Sequence, residues 1–188
     1  VPVILENDIT QAFQALNDTG NVAHDTQIIN MSLEGGTPGS ALMTQIKQAV
    51  ADGKLLVLAA GNSGNAEPAD SAKIADDAGI AGSAIVVGSV RDNGTMAPSS
   101  NQAGSMANYY VVAPAGDGQP TVYPGGTHVL FTGTSAATPI VSALAALLME
   151  KFPSLTAQQV AQIIFDTATD LGAPGVDAVF GAKPSSSD

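Results

Sequence analysis

The run from Gly133 to Met149 constrains this chain more than any other stretch. It opens Gly-Thr-Ser and continues in Ala, Leu, Ile, Val and Ser, with no charged residue before Glu150. Pro139 suits the first turn of a helix, where a missing N–H leaves nothing unpaired. A helix that is apolar on every face has to be buried, so this one is expected at the centre of a domain. At about a dozen residues beyond the proline it is too short to cross a bilayer. Thr134, Ser135 and Thr138 offer side-chain oxygens at its start. There Ser135 is either a helix cap or a hydroxyl under the positive end of the helix dipole, a suitable address for a nucleophile.

Size and charge narrow the rest. The 188 residues suit one domain with a sizeable core. Six Lys and Arg against seventeen Asp and Glu give a net charge of −11, which disfavours nucleic acid and anionic membranes as partners. The absence of cysteine removes disulfides and thiolate metal sites. No signal peptide or transmembrane stretch is present, and the chain begins at Val1 in an apolar run, as an excised or processed piece would. The tail 183–188 is expected to be disordered, leaving residues 1–182 as the domain.

Strand and helix patterns alternate along the chain. Val1–Leu5 reads as a short strand and Ile9–Leu16 as a helix, followed by a strand within Gln27–Leu33 and a helix over Ser40–Ala51. Leu55–Ala60 is uninterrupted and apolar, as a parallel strand covered on both faces would be. Ile85–Val90 and Tyr109–Ala113 are further strands, Gly116–Gly126 a Gly/Pro-rich loop, and Thr156–Ala168 the last helix. The fold class is therefore α/β, a mainly parallel sheet with helices on both faces. Ligands of such sheets bind at the carboxyl ends of the strands. Two loops meet that condition, Ser32–Thr37 and Gly61–Asn65.

Asn62 emerges from a tight turn after two alanines and a glycine. It is either a turn asparagine bonding its own backbone or a rigid N–H donor for an oxyanion. Other chemistries fit less well. His24 and His128 have no metal-ligand spacing to a second His or Cys. Neither a Walker loop nor a dinucleotide fingerprint occurs, and Ser135 lacks a Gly-x-Ser-x-Gly elbow. Asp76-Asp77 sits in a polar segment as a solvated pair, with a structural calcium contact as the alternative.

Four blocks, Ile28-Ile-Asn-Met-Ser-Leu33, Leu58-Ala-Ala-Gly-Asn-Ser-Gly64, Val86-Val-Gly-Ser-Val90 and Gly133-Thr-Ser-Ala-Ala-Thr-Pro139, resemble successive blocks of the subtilisin-like serine proteases, in order and at compatible spacing. Ser100–Gly104 and Tyr110–Pro114 are similar to blocks of secreted bacterial and autotransporter-type members. The resemblance implies a serine endopeptidase acting on polypeptide, secreted or at the bacterial cell surface. It makes Ser135 the nucleophile and Asn62 the side-chain oxyanion donor. It makes Ser32 and Leu33 the edge that pairs with substrate backbone. Ala60, Gly61 and the Glu67–Asp70 segment with Pro68 become the walls of the pocket before the scissile bond, and Thr134 adjoins it.

The departures carry expectations of their own. The family's catalytic Asp and His lie upstream of the Ile-Asn-Met-Ser block, so the resemblance puts both on a missing N-terminal segment or a partner chain, together with the N-terminal strands. His24 is expected to be a loop residue, and so is His128, although a loop could return the latter to Ser135. Glu34 stands where the family commonly has glycine, Ala136 where methionine is frequent and Ile140 where histidine is. The alternative to a two-chain, cleaved or truncated protease is a non-catalytic module of the same fold, keeping the groove to bind peptide or serving structure alone.

Overall fold

The computed structural model describes residues 6–181. The strand expected at Val1–Leu5 and the tail 183–188 lie outside them. In chain order the elements are α1 (Glu6–Asn17), β1 (Ile28–Met31), α2 (Ser40–Ala51), β2 (Leu55–Ala59), β3 (Ala84–Val90), β4 (Tyr110–Pro114), β5 (Gln119–Val122), β6 (His128–Phe131), α3 (Thr134–Lys151) and α4 (Ala157–Thr167). β1 to β4 form one parallel sheet in sequence order, with Asn30 opposite Val57, Val57 opposite Ile85 and Val87 opposite Val111.

Because side chains alternate along a strand, neighbouring residues of β2 and β3 serve different layers. Leu56, Leu58 and Val86 pack with Phe13 of α1 and Leu42 and Ile46 of α2. Leu55, Val57, Ile85 and Val87 pack with Ala137, Val141 and Ala145 of α3 and Val160 and Ile164 of α4. Every residue of β2 and β3 is buried, which is why both read as continuous apolar runs. The three-layer α/β/α arrangement follows as expected. α4 begins with a reciprocal capping box between Thr156 and Gln159.

Two elements differ from the sequence expectation. Residues 116–126 are not a plain loop: β5 pairs antiparallel with β6 in a two-stranded ribbon, with Pro120 opposite Leu130. Proline is tolerated there because, among the described residues, the ribbon has no third strand to receive its missing N–H. α3 is also longer and less enclosed than expected. It starts at Thr134, so Pro139 lies in its second turn rather than its first. Only one side of α3 meets the sheet, and Leu144 and Leu147 on the other side are 45% and 63% exposed.

Candidate active site

The site lies at the carboxyl ends of β1 and β2, where the start of α3 meets the loop 61–65. The loop turns sharply at Gly61, whose φ of +106° belongs to glycine. Gly133, at φ +90° and ψ 180°, performs the matching turn into α3. Two turns placed face to face let the chain bring Asn62 against the helix start.

Asn62 caps that helix from outside. Its Oδ1 accepts from the backbone N–H of Thr134 at 2.8 Å and from the Thr134 hydroxyl at 3.2 Å. The same hydroxyl accepts from the Gly61 N–H at 3.2 Å. With the carbonyl end anchored on the residue before Ser135, the planar amide can turn its NH₂ end only to the open side. Ser135 is half-buried in the first turn of α3, where backbone N–H groups have no partner within the helix. Its own N–H and the Asn62 amide are donor groups at or beside the positive end of this helix, a chemistry suited to stabilising negative charge on an oxygen. The Ser135 hydroxyl reaches the Ser32 carbonyl across a long 3.4 Å contact, so no strong partner ties it down.

The remaining residues take distinct places. Ser32 and Leu33 continue the chain past β1, which pairs with β2 alone among the described residues. Ala60 and Gly61 are buried, and the Ala60 carbonyl accepts from the Ala69 N–H at 2.8 Å. Buried Pro68, with Glu34 and Asp70, lines a cavity of about 530 Å³ beside the loop. Thr134 is fully buried with its hydroxyl engaged as described, so it holds Asn62 in place.

Sequence reasoning missed the residue that holds the loop. Asn101 is 1% exposed, and its Oδ1 accepts from the N–H groups of Ser63 at 3.1 Å and Asn65 at 3.0 Å. Its Nδ2 donates to the Ala60 carbonyl at 3.0 Å, and its backbone carbonyl accepts from the buried Tyr110 hydroxyl at 2.6 Å. Burial pushes the Tyr110 hydroxyl pKa up, which keeps that group a donor. The signal was the Ser-Asn-Gln-Ala-Gly block, to which no role had been attached. Removing the Asn101 side chain leaves the Ser63 and Asn65 N–H groups without their acceptor, while the Ala60 carbonyl keeps only its bond from Ala69. Asn101→Ala should lower unfolding stability by about 2 kcal/mol in urea titrations; a loss under about 0.5 kcal/mol would contradict this account of the loop.

Glu67 ties the pocket wall to the segment after Asn101. Its carboxylate accepts from the Ser105 hydroxyl at 2.7 Å and from the Ser105 N–H. Those bonds hold its pKa below the ordinary 4.5. A depressed carboxyl keeps the strap intact above its ordinary value and releases it only as pH falls through the lowered one. The Glu67 midpoint followed by NMR should therefore lie below 4.5 and return towards it in Ser105→Ala; equal midpoints in the two proteins would refute the strap.

Neither histidine is hydrogen-bonded to Ser135 among the described residues. His24 bonds the Leu16 carbonyl through Nδ1 at 3.1 Å. It lies just before β1, at the amino end of the sheet, opposite the site. His128 opens β6 on the exposed side of the ribbon, and no hydrogen bond joins it to Ser135 among the described residues. Contrary to the expectation that the chain lacks the Asp-Thr-Gly motif of the family's catalytic aspartate, that triplet occurs at Asp18–Gly20. It is a turn after α1, in which Asp18 Oδ1 accepts from the Gly20 N–H. Like His24 it precedes β1, at the wrong end of the strands. Asp77 pairs with Lys47 at 2.9 Å and accepts from the Gly79 N–H, so the Asp76-Asp77 carboxylates are not gathered around a vacant centre. No group of three or more potential metal ligands occurs among the described residues, and none of the described helices is long and apolar enough to cross a membrane.

Comparison with known proteins agrees with this geometry. Residues 4–182 match the peptidase S8 subtilase family. The chain is 38% identical over 151 residues to subtilisin of Bacillus pumilus, covering 80% of this chain and 52% of that protein. It is 38% identical over 151 residues to subtilisin E of Bacillus subtilis, covering 38% of it. It is also 31% identical to the extracellular serine protease of Serratia marcescens, over 77% of this chain and 16% of that one. The chain thus spans about half or less of these curated relatives. Among solved structures, the patellamide maturation protease PatA superposes with a TM-score of 0.75 at 26% identity, over 97% of this chain and 66% of that chain. Serine on a helix start, asparagine on the facing turn, and a sequence match over nearly the whole chain lead to one assignment: the chain belongs to the subtilase family of serine proteases.

Proposed function

We propose that this chain is the serine-bearing part of an endopeptidase, and that a segment outside these 188 residues supplies the catalytic Asp and His. Ser135 attacks the peptide carbonyl while that His takes its proton and later returns it to the leaving amine. The Asp orients the His, and the Ser135 N–H with Asn62 Nδ2 holds the oxyanion until the acyl-enzyme forms and water releases it. Substrate backbone runs along Ser32–Glu34 as an added strand. An extracellular setting follows by analogy with the Serratia relative.

One observation carries the reading: Asn62 is fastened by its oxygen to the N–H of Thr134, leaving its N–H₂ for the side where Ser135 stands. A turn asparagine bonding its own loop would not cross to another element. The need for an outside base is supported by the hydroxyl of Ser135, whose only hydrogen-bond partner among the described residues is a carbonyl. The edge of β1 that no described strand covers, and the outward Leu144 and Leu147 of α3, give such a segment somewhere to pack.

The test is labelling of Ser135 by a serine-directed phosphonate, with peptide hydrolysis measured in parallel. The chain alone should react slowly, because an alcohol without a base is a weak nucleophile. Addition of an Asp- and His-bearing subtilase segment should accelerate both. Rapid labelling without it would overturn the requirement for an outside base, and no hydrolysis in its presence would overturn the protease reading.

A further inference from the structure

Glu34 occupies a place that neither the fold nor the proposed peptide-bond chemistry explains. It follows Ser32 and Leu33 on one side of the groove, and its carboxylate crosses to the other. There Oε2 accepts from the Asn62 N–H at 2.9 Å and Oε1 from the Ser63 hydroxyl at 3.3 Å. Glu34 also lines the 530 Å³ cavity, together with Pro68, Ala69 and Asp70. The segment after β1 and the loop 61–65 are thus joined by a carboxylate held by two uncharged donors.

Charge inside the cavity is unbalanced. Its lining carries Glu34, Glu67 and Asp70 against the single cation Lys73. Lys73 is already committed to Asp70 at 3.1 Å, and Glu67 is strapped to Ser105. Glu34 forms no ion pair among the described residues. The apolar lining is limited to Ala66, Pro68 and Ala69, with glycines and asparagines making up the rest. A large hydrophobic side chain would find little surface to cover there, whereas a cation would exchange water for a charge-assisted contact.

We infer that Glu34 is the specificity-determining residue of this groove and selects a substrate with lysine or arginine before the scissile bond. The inference rests on the protease reading for the direction in which a peptide lies. The incoming ammonium or guanidinium takes over the Glu34 carboxylate, frees the Asn62 N–H and Ser63 hydroxyl to water or substrate, and fills the cavity behind it. A neutral side chain has to displace the same bridge and gives the carboxylate no partner in return.

Binding can be tested without catalysis. Benzamidine and its uncharged isostere benzamide are titrated into the 188-residue chain, wild type, Glu34→Gln and Glu34→Lys, with amide shifts of Asn62 and Ser63 as readout. Wild type should bind benzamidine at least about tenfold more tightly than benzamide, a difference of about 1.4 kcal/mol. Glu34→Gln should remove the difference, and Glu34→Lys should make benzamidine the weaker ligand. Equal affinities in wild type, no binding of either, or a preference that survives in Glu34→Gln would each overturn the inference. Hydrolysis by the completed protease separates the two claims. Cleavage after leucine and arginine alike refutes the role of Glu34 and leaves the protease standing. Glu34-dependent benzamidine binding without any hydrolysis refutes the protease and leaves the cation site.

Discussion

Asn62→Asp should keep α3 capped and yet remove most of the activity. The two ends of this amide have separate tasks in the proposed mechanism: Oδ1 accepts from Thr134, and Nδ2 donates to the oxyanion. Aspartate retains the acceptor, and its negative charge at a helix start is favourable. What it loses is the donor for the oxyanion, and it adds repulsion where that charge develops. In subtilisin, a relative, loss of the corresponding asparagine is known to lower kcat by about 10²–10³, and that known value sets the scale here. With the Asp- and His-bearing segment present, kcat should fall by about that factor while KM changes little. The midpoint of thermal unfolding should stay level or rise. Asn62→Ala is the contrasting variant, expected to lose similar activity and also about 1 kcal/mol of stability with the cap. An aspartate variant of normal kcat would remove Asn62 from the mechanism, and equal stability of the alanine variant would remove it from the cap.

Gly133→Ala should damage stability and activity together. At φ +90° and ψ 180° the backbone lies in a region essentially reserved for glycine. A Cβ there would also come within 2.6 Å of Asn62 Oδ1. Strain and overpacking each amount to about 1–3 kcal/mol, so a total loss near 3 kcal/mol is expected by denaturant titration. The chain can relieve the clash only by withdrawing the Asn62 amide, so kcat should fall even in molecules that remain folded. A folded variant of unchanged kcat would show that this approach is not needed for chemistry.

Much of the fold was legible because both central strands are covered on two sides, and their apolar runs leave no alternating face to misread. The Ser40–Ala51 helix is marked by its spacing and its Gly39 and Gly53 borders. The β5–β6 ribbon was hidden because Pro120 and the paired Gly125 and Gly126 argue for loop, and only the self-sufficient pairing of two strands admits them. On α3 the sequence shows that Leu144 and Leu147 are apolar but says nothing about what covers them. Ser135 and Asn62 were readable as a pair only through their blocks. No local pattern foretold that Asn62 crosses 72 positions to cap the other element. Asn101 escaped for the same reason, since its partners at 60, 63 and 65 are remote in sequence. Asp18–Gly20 shows the converse hazard, a motif in letters whose place in the fold forbids the role.

The bond between Asn62 and Thr134 also sets a timetable for the nascent protein. Loop 61–65 needs β2, β3 and the Asn101 segment in place, and its amide has nothing to turn against until α3 docks on the sheet. The donor pair therefore comes into being at one of the last steps of folding. A chain in which α3 has not docked holds Ser135 apart from Asn62. Under the proposed mechanism, competence that arrives only with completion of the fold would be a safeguard against self-destruction during synthesis.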